Sequence, residues 1–511
     1  MPINLEFGGI ELTGDPQRQP FETTRKAEGS VRIGVIGDFR GRGARAPVEL
    51  THTQAERCLL PVDRDNLDEV LARLCPELSL TLPEAEGTPL ALTFREVDDF
   101  HPDRILARAE VFAALQKTRR RLEDPATFAE AAAAIGLGSR PTGALGATTP
   151  PVPAANVTPA ELLDLILQQS SPSTPSPPAP PAQTGAWDAF LEQITTPHIH
   201  RENPRQAELI AGVDAAMAQL LRDILHHPEF QALESLWRGV QLLTRRLDTG
   251  TDLTLELIDL PRAALETDLL STKPLDSTNA YKLLVEPSVG IQGGRPWTFL
   301  VGDFTFGPSR RDIVLLWRLG QIARLAAAPF LAAANPQILG SDSLASTPDP
   351  DDWSTPPADE GWSDLRRSSE APYLGLALPR FLLRAPYGRE RVPIEAFAFE
   401  EFPVPPAHAS YLWGNPAFAL AVLLGSSFNA QGRFDRDRFA FDLTELPLSF
   451  ESTDDGGTRV KPCAEVLLGT RAADRLLGAG LMPFQSIRNR DAIRLAQLIS
   501  IADPPAPLAI P

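Results

Sequence analysis

Two stretches of this chain have the composition of a phosphate loop. The first is Val35-Ile36-Gly37-Asp38-Phe39-Arg40-Gly41-Arg42-Gly43, at the end of the apolar run Val31 to Ile36. The second is Leu300-Val301-Gly302-Asp303-Phe304, followed by Phe306-Gly307. Glycines after a strand let backbone N–H groups approach a nucleotide. A dinucleotide site also needs Gly-x-Gly-x-x-Gly opening a helix. Here Pro47 and Val48 make a poor helix start, and neither copy carries the Gly-Lys-Ser/Thr of a Walker loop. The residues fit strand-to-turn junctions better: Asp38 and Asp303 cap the turns and Phe39 and Phe304 plug the core. No cofactor is expected.

Metal and nucleophile chemistry is equally thin. The histidine clusters are His198-Ile199-His200 and His226-His227-Pro228-Glu229. Zinc needs three or four converging ligands, whereas consecutive histidines at a helix end point apart. Pro228 reads as the junction of two helices. There is no Gly-x-Ser-x-Gly elbow and no Ser-x-x-Lys. The expectation is no metal, no catalytic residue and no enzyme.

Cys58, Cys75 and Cys463 stand far apart with no Cys-x-x-Cys, which points to a reducing, cytoplasmic setting. The start, MPINLEFGGIELTGD, does not read as a secretory signal, and no apolar run is long enough to cross a bilayer. A net charge of −18 argues against nucleic acid and anionic membranes as partners.

The elements that must position these loops fall into two blocks. Between about 138 and 185 the chain is rich in Pro, Ala, Thr and Ser and cannot bury a core. The expected division is 1–136, a linker at 137–185, 186–503, and a disordered tail at 504–511. One island near 158–169 interrupts the linker. Thr158, Pro159 and Glu161 form a helix start, and Leu162, Leu163, Leu165 and Ile166 are apolar with no cover nearby. That pattern suits a docking peptide; packing on a flanking block is the alternative.

In the first block, Asn4–Phe7 and Val31–Ile36 read as strands, and Leu67, Val70, Leu71 and Leu74 as a helix face. Leu78–Leu82 and Leu90–Phe94 alternate as a hairpin, and one long helix is expected over Pro102–Leu122. The second block opens with a helix through Leu209 to Leu225. Strands at Leu253–Ile258, Thr298–Val301 and Phe330–Ala334 then surround a helix at Arg311–Ala328. This alternation predicts a mostly parallel α/β sheet flanked by helices. Asp349 to Asp364 reads as a solvated acidic loop.

The first block resembles the small sheath subunit of the type VI secretion system (TssB). The residues that carry this are Val35 to Phe39, Asn66 to Leu71, Pro76 to Pro83, and Leu92 to Phe94 with Asp99 to Asp103. The second resembles the large sheath subunit (TssC). Its motifs are Ile224 to Gly239, Leu300 to Phe304 with Phe306-Gly307, Ala328 to Ala334, Tyr373 to Arg384 with Pro386 to Gly388, and Tyr411 to Asn415. The resemblance implies a fused pair of sheath subunits with mixed sheets, assembling into a contractile tube. It implies as partners other sheath subunits, an inner tube protein, baseplate components and a ClpV-type AAA+ unfoldase. Leu162, Leu163, Leu165 and Ile166 match the unfoldase-docking helix, and Ile3, Leu5 and Phe7 the inter-subunit strand. The large subunit's C-terminal part has no counterpart here, so a non-polymerising adaptor, cap or regulator is the alternative expectation.

Overall fold

The computed structural model describes residues 4–7, 10–13, 30–43, 59–82, 89–135, 204–290, 294–354, 360–389, 391–402, 407–452 and 458–511. Two short strands open the chain, β1 (Asn4–Phe7) and β2 (Ile10–Thr13), paired antiparallel with Leu5 opposite Leu12 and Phe7 opposite Ile10. The first block continues with β3 (Val31–Gly37), β4 (Leu59–Val62), and the hairpin β5 (Glu77–Leu80) and β6 (Leu90–Thr93). The second block supplies β7 (Leu253–Asp259), β8 (Phe299–Phe306), β9 (Phe330–Ala334) and β10 (Leu374–Leu378). Strands Asp442–Leu443, Met482–Ser486 and Ile493–Leu495 follow.

One nine-stranded sheet runs across both blocks. From one edge its order is Asp442–Leu443, Ile493–Leu495, Met482–Ser486, β10, β9, β8, β3, β7, β4. The five pairings from Met482–Ser486 to β7 are parallel, and the three nearest the edges are antiparallel. β3 therefore belongs to the first block in sequence but lies between two strands of the second. All seven of its residues are buried, the continuous apolar run expected of a central parallel strand. Its side chains alternate between two cores. Val31, Ile33 and Val35 join the core with helices Pro204–Leu225, Pro228–Arg246 and Pro416–Gln431, while Ile36 joins the core with helices Arg262–Leu269 and Arg310–Leu325.

Several expectations are corrected. The helix expected over Pro102–Leu122 is two helices, Pro102–Arg108 and Glu110–Glu123, because Ala109 is extended (φ −77°, ψ 121°). The break frees the Leu106 carbonyl, and Gln116 Nε2 donates to it at 3.1 Å. The second Gly-Asp-Phe does not end its strand. β8 continues to Phe306, with an irregularity against β9 between Val301 and Thr305. The acidic segment after Asp349 is anchored by buried Trp353 and Leu365. The tail expected to be disordered is packed: Leu508 is buried, Ser500 N donates to Ala506 O, and Ala509 N to Pro372 O. An apolar side chain with a ready cavity outweighs the proline-rich composition around it.

Candidate assembly site at the junction of the two blocks

The junction is built on β3. Thr298 N donates to Arg32 O and Arg32 N to Thr298 Oγ1, at 2.7 and 3.0 Å. Arg32 is the one charged residue on this strand, and its guanidinium forks onto Glu256 of β7 at 2.8 and 2.7 Å. The same group lies 3.6 Å from the ring centroid of Trp297 and donates to Arg295 O. A buried charge is tolerated when every donor finds a partner. Arg32 thus ties the first block to four positions of the second, Glu256, Arg295, Trp297 and Thr298.

The first Gly-Asp-Phe, at the carboxyl end of β3, lies beside the second, which sits inside β8. After β3, Asp38 Oδ2 accepts from Gly43 N at 2.5 Å, and Gly41 N donates to Asp38 O. Gly41 and Gly43 have φ of +68° and +53°, values that glycine adopts without strain. Phe39 is fully buried against Trp237 with ring centroids 5.4 Å apart, and Trp237 Nε1 donates to Phe39 O. Asp38 and Phe39 therefore do what their types suggested. Arg40 and Arg42 both reach Asp259 at the end of β7, at 3.0 and 2.8 Å. Burial pushes the Asp259 carboxyl up, against the pull of Arg42 and Arg40.

In the second copy, Phe304 is buried but Asp303 caps no turn. Its carboxyl is hemmed in beside Asn415, and burial pushes it up to about 7 despite the Asn415 hydrogen bond. Asp38 and Asp303 both line one groove of about 520 Å3, floored by Leu78, Leu233 and Leu236. The chain leaves β3 toward one face of the sheet and leaves β7 toward the other, which opens a crevice between them. Phosphate is a poor occupant, since Asp38, Glu229, Glu266 and Asp303 all border it and the one cation there, Arg262, is already paired with Glu266 and Asp312.

The side of the junction facing Pro228–Arg246 is held by a buried ion network that the sequence reading missed. Arg384 donates to Glu234 Oε1 (2.9 Å) and to both oxygens of Glu401 (2.8 and 3.1 Å), and lies over the Tyr387 ring. Burial works to raise the Glu401 carboxyl, but Arg384, His226 and Tyr387 N pull it down to about 2. The first block docks beside it: His101 packs on Tyr387, and Asp103 accepts from Glu395 N and Ala396 N. Glu234, Arg384 and Tyr387 all lie inside the sheath-like motifs, but their spacing along the chain carries no sign that they converge.

His227 Nδ1 accepts from Glu229 N and caps its helix, and His226 Nε2 lies 3.5 Å from Glu401. They serve different partners, as expected of consecutive residues. His198 and His200 lie outside the described residues, as do Ile3 and the docking positions Leu162, Leu163, Leu165 and Ile166. Leu5 and Phe7 lie in β1, whose hairpin pairs with no other strand among the described residues.

Comparison with known proteins matches both blocks. Residues 17–133 match the family described as "Type VI secretion system, VipA, VC_A0107 or Hcp2". Residues 207–501 match "EvpB/VC_A0108, tail sheath N-terminal domain". The type VI secretion system sheath protein TssC1 of Pseudomonas aeruginosa is 35% identical over 291 residues, covering 55% of this chain and 58% of the relative. The sheath protein TssB1 of the same organism is 29% identical over 100 residues, covering 19% of this chain and 56% of the relative. The chain thus spans little more than half the length of each of these relatives. With the sheath N-terminal domain matching over half of its length and the small sheath protein matching ahead of it, this chain belongs to the type VI secretion tail sheath family.

Proposed function

We propose that this chain is a structural component of a type VI secretion contractile sheath, with the small- and large-subunit parts supplied by one polypeptide. One observation carries the reading: β3, from the small-subunit match, is hydrogen-bonded on both edges by strands of the large-subunit match. Two proteins that share a sheet act as one folding unit, and fusing them sets one-to-one stoichiometry and raises their effective concentration. The role asks for surfaces rather than chemistry, so the chain works as a scaffold and not as an enzyme. It operates in the cytoplasm and polymerises with other sheath subunits around an inner tube, on a baseplate.

Negative-stain microscopy of the purified chain, alone and mixed with a separate small and large sheath pair, tests this. Tubes, rings or incorporation into tubes are expected; a chain that neither forms nor joins them refutes the reading. A ClpV-type AAA+ unfoldase is the proposed recycling partner, gripping Leu162, Leu163, Leu165 and Ile166. Leu163→Asp is expected to abolish unfoldase capture at an unchanged melting temperature, and capture that survives rejects the assignment.

A further inference from the structure

In a chain of net charge −18, Lys117-Thr118-Arg119-Arg120-Arg121 is a conspicuous basic run. It lies on helix Glu110–Glu123. Arg119 is consumed inward, by Asp214 at 2.6 Å and by Glu123, and Arg121 pairs with Glu130. Lys117 and Arg120 are exposed and have no ionic partner among the described residues. With exposed Ala113 they share one helical face at spacings of four and three. That face presents two cations on flexible apolar stems beside a small residue.

The groove between the two Gly-Asp-Phe copies is its chemical complement. Its floor is Leu78, Leu233 and Leu236, its carboxylates are Asp38, Glu229 and Glu266, and its one cation, Arg262, is taken up by Glu266 and Asp312. A volume of about 520 Å3 holds two or three long side chains rather than a whole helix. Lysine and arginine stems lie along apolar surface while their heads reach carboxylates, so floor and carboxylates are both used.

The two features cannot meet within one molecule. Helix Glu110–Glu123 packs against helix Pro204–Leu225, with Arg119 on Asp214 and Gln206 Nε2 on Leu122 O. The groove begins beyond the far end of that second helix, at Glu229. From Asp214 to Leu225 is roughly 16 Å of helix at 1.5 Å per residue, well past the reach of a side chain.

We propose that the Ala113–Lys117–Arg120 face of one copy seats in the groove bordered by Asp38, Glu229 and Glu266 of a second copy. The contact is heterologous, leaving one unused face and one unused groove, so it repeats from copy to copy, as a closed ring or an open helix. It rests on the sheath reading and names one subunit-to-subunit contact within it. Copies repel over long range through their net charge, and this is screened beyond about 10 Å at 0.1 M salt. Association therefore peaks at intermediate ionic strength and falls again near 1 M, where the local pairs are screened too.

Sedimentation velocity on the full chain tests this with three proteins. They are the wild type, the face variant Lys117→Glu/Arg120→Glu, and the groove variant Glu229→Lys. Each variant alone is expected to self-associate on the order of tenfold more weakly than wild type. A mixture of the two is expected to associate, because the face of the groove variant and the groove of the face variant are intact. Circular dichroism melts check that both variants fold, and a face variant with Gln in place of Glu serves if the charge reversal does not. Wild-type association that both folded variants retain overturns this contact while leaving the sheath reading in place. A wild type that stays monomeric at every salt concentration also overturns it, and microscopy with a separate sheath pair then judges the sheath reading independently.

Discussion

Arg32 is the residue on which the junction leans most. Removing it leaves Glu256 buried without its forked partner, a loss that costs about 3–5 kcal/mol for a buried pair. Arg32→Ala is expected to lower the urea midpoint accordingly, while Arg32→Ala/Glu256→Leu recovers part of the loss. Asp303 makes a different prediction. Its carboxyl sits at about 7 against an ordinary 3.8, so the folded state holds a proton that the unfolded state has released. Where the folded state binds more protons, stability falls as pH rises. The fall runs from about pH 4 to about pH 7 and is flat above. Asp303→Asn is expected to flatten it and to be the more stable protein at pH 8, as read from urea midpoints at pH 5 and pH 8.

At the scale of elements, the sheet accepts β3 because its glycines let neighbours close in. A Cβ on Gly34 would lie 2.8 Å from Leu300 and one on Gly37 2.9 Å from Leu236; between β8 and β9, one on Gly302 would lie 2.5 Å from the Phe330 ring. Gly302→Ala must displace a buried aromatic ring between β8 and β9. It is expected to cost about 1–3 kcal/mol, measured by thermal melts against a surface Ala control. The edge strand β4 carries Pro61, which cannot donate to a further strand and so discourages sheet extension there.

For the whole molecule, the inserted strand predicts how the chain behaves when cut. Expressed separately, 1–135 lacks both strands that flank β3, and 204–511 lacks the strand that fills the gap between β7 and β8. Each alone is expected to be unfolded or aggregated, and the two co-expressed to elute as one 1:1 complex without any tether. A folded, monomeric 1–135 fragment by circular dichroism and gel filtration would show that the shared sheet is dispensable.

Much of this was legible in residue order. Continuous apolar runs marked β3, β8 and β9, and alternation marked the β5–β6 hairpin. His-Pro marked the junction of two helices, and ordered motifs pointed to the family. Those signals are local, set by side-chain periodicity and backbone restriction over a few residues. What the tertiary structure decided is which distant segments share a surface. β3 pairs with strands more than 200 residues away, Arg384 meets Glu234 across 150 positions, and the two Gly-Asp-Phe copies face one groove. Such pairings are chosen by the total area and polarity that can be buried at once, a sum over the whole chain that no window of sequence contains.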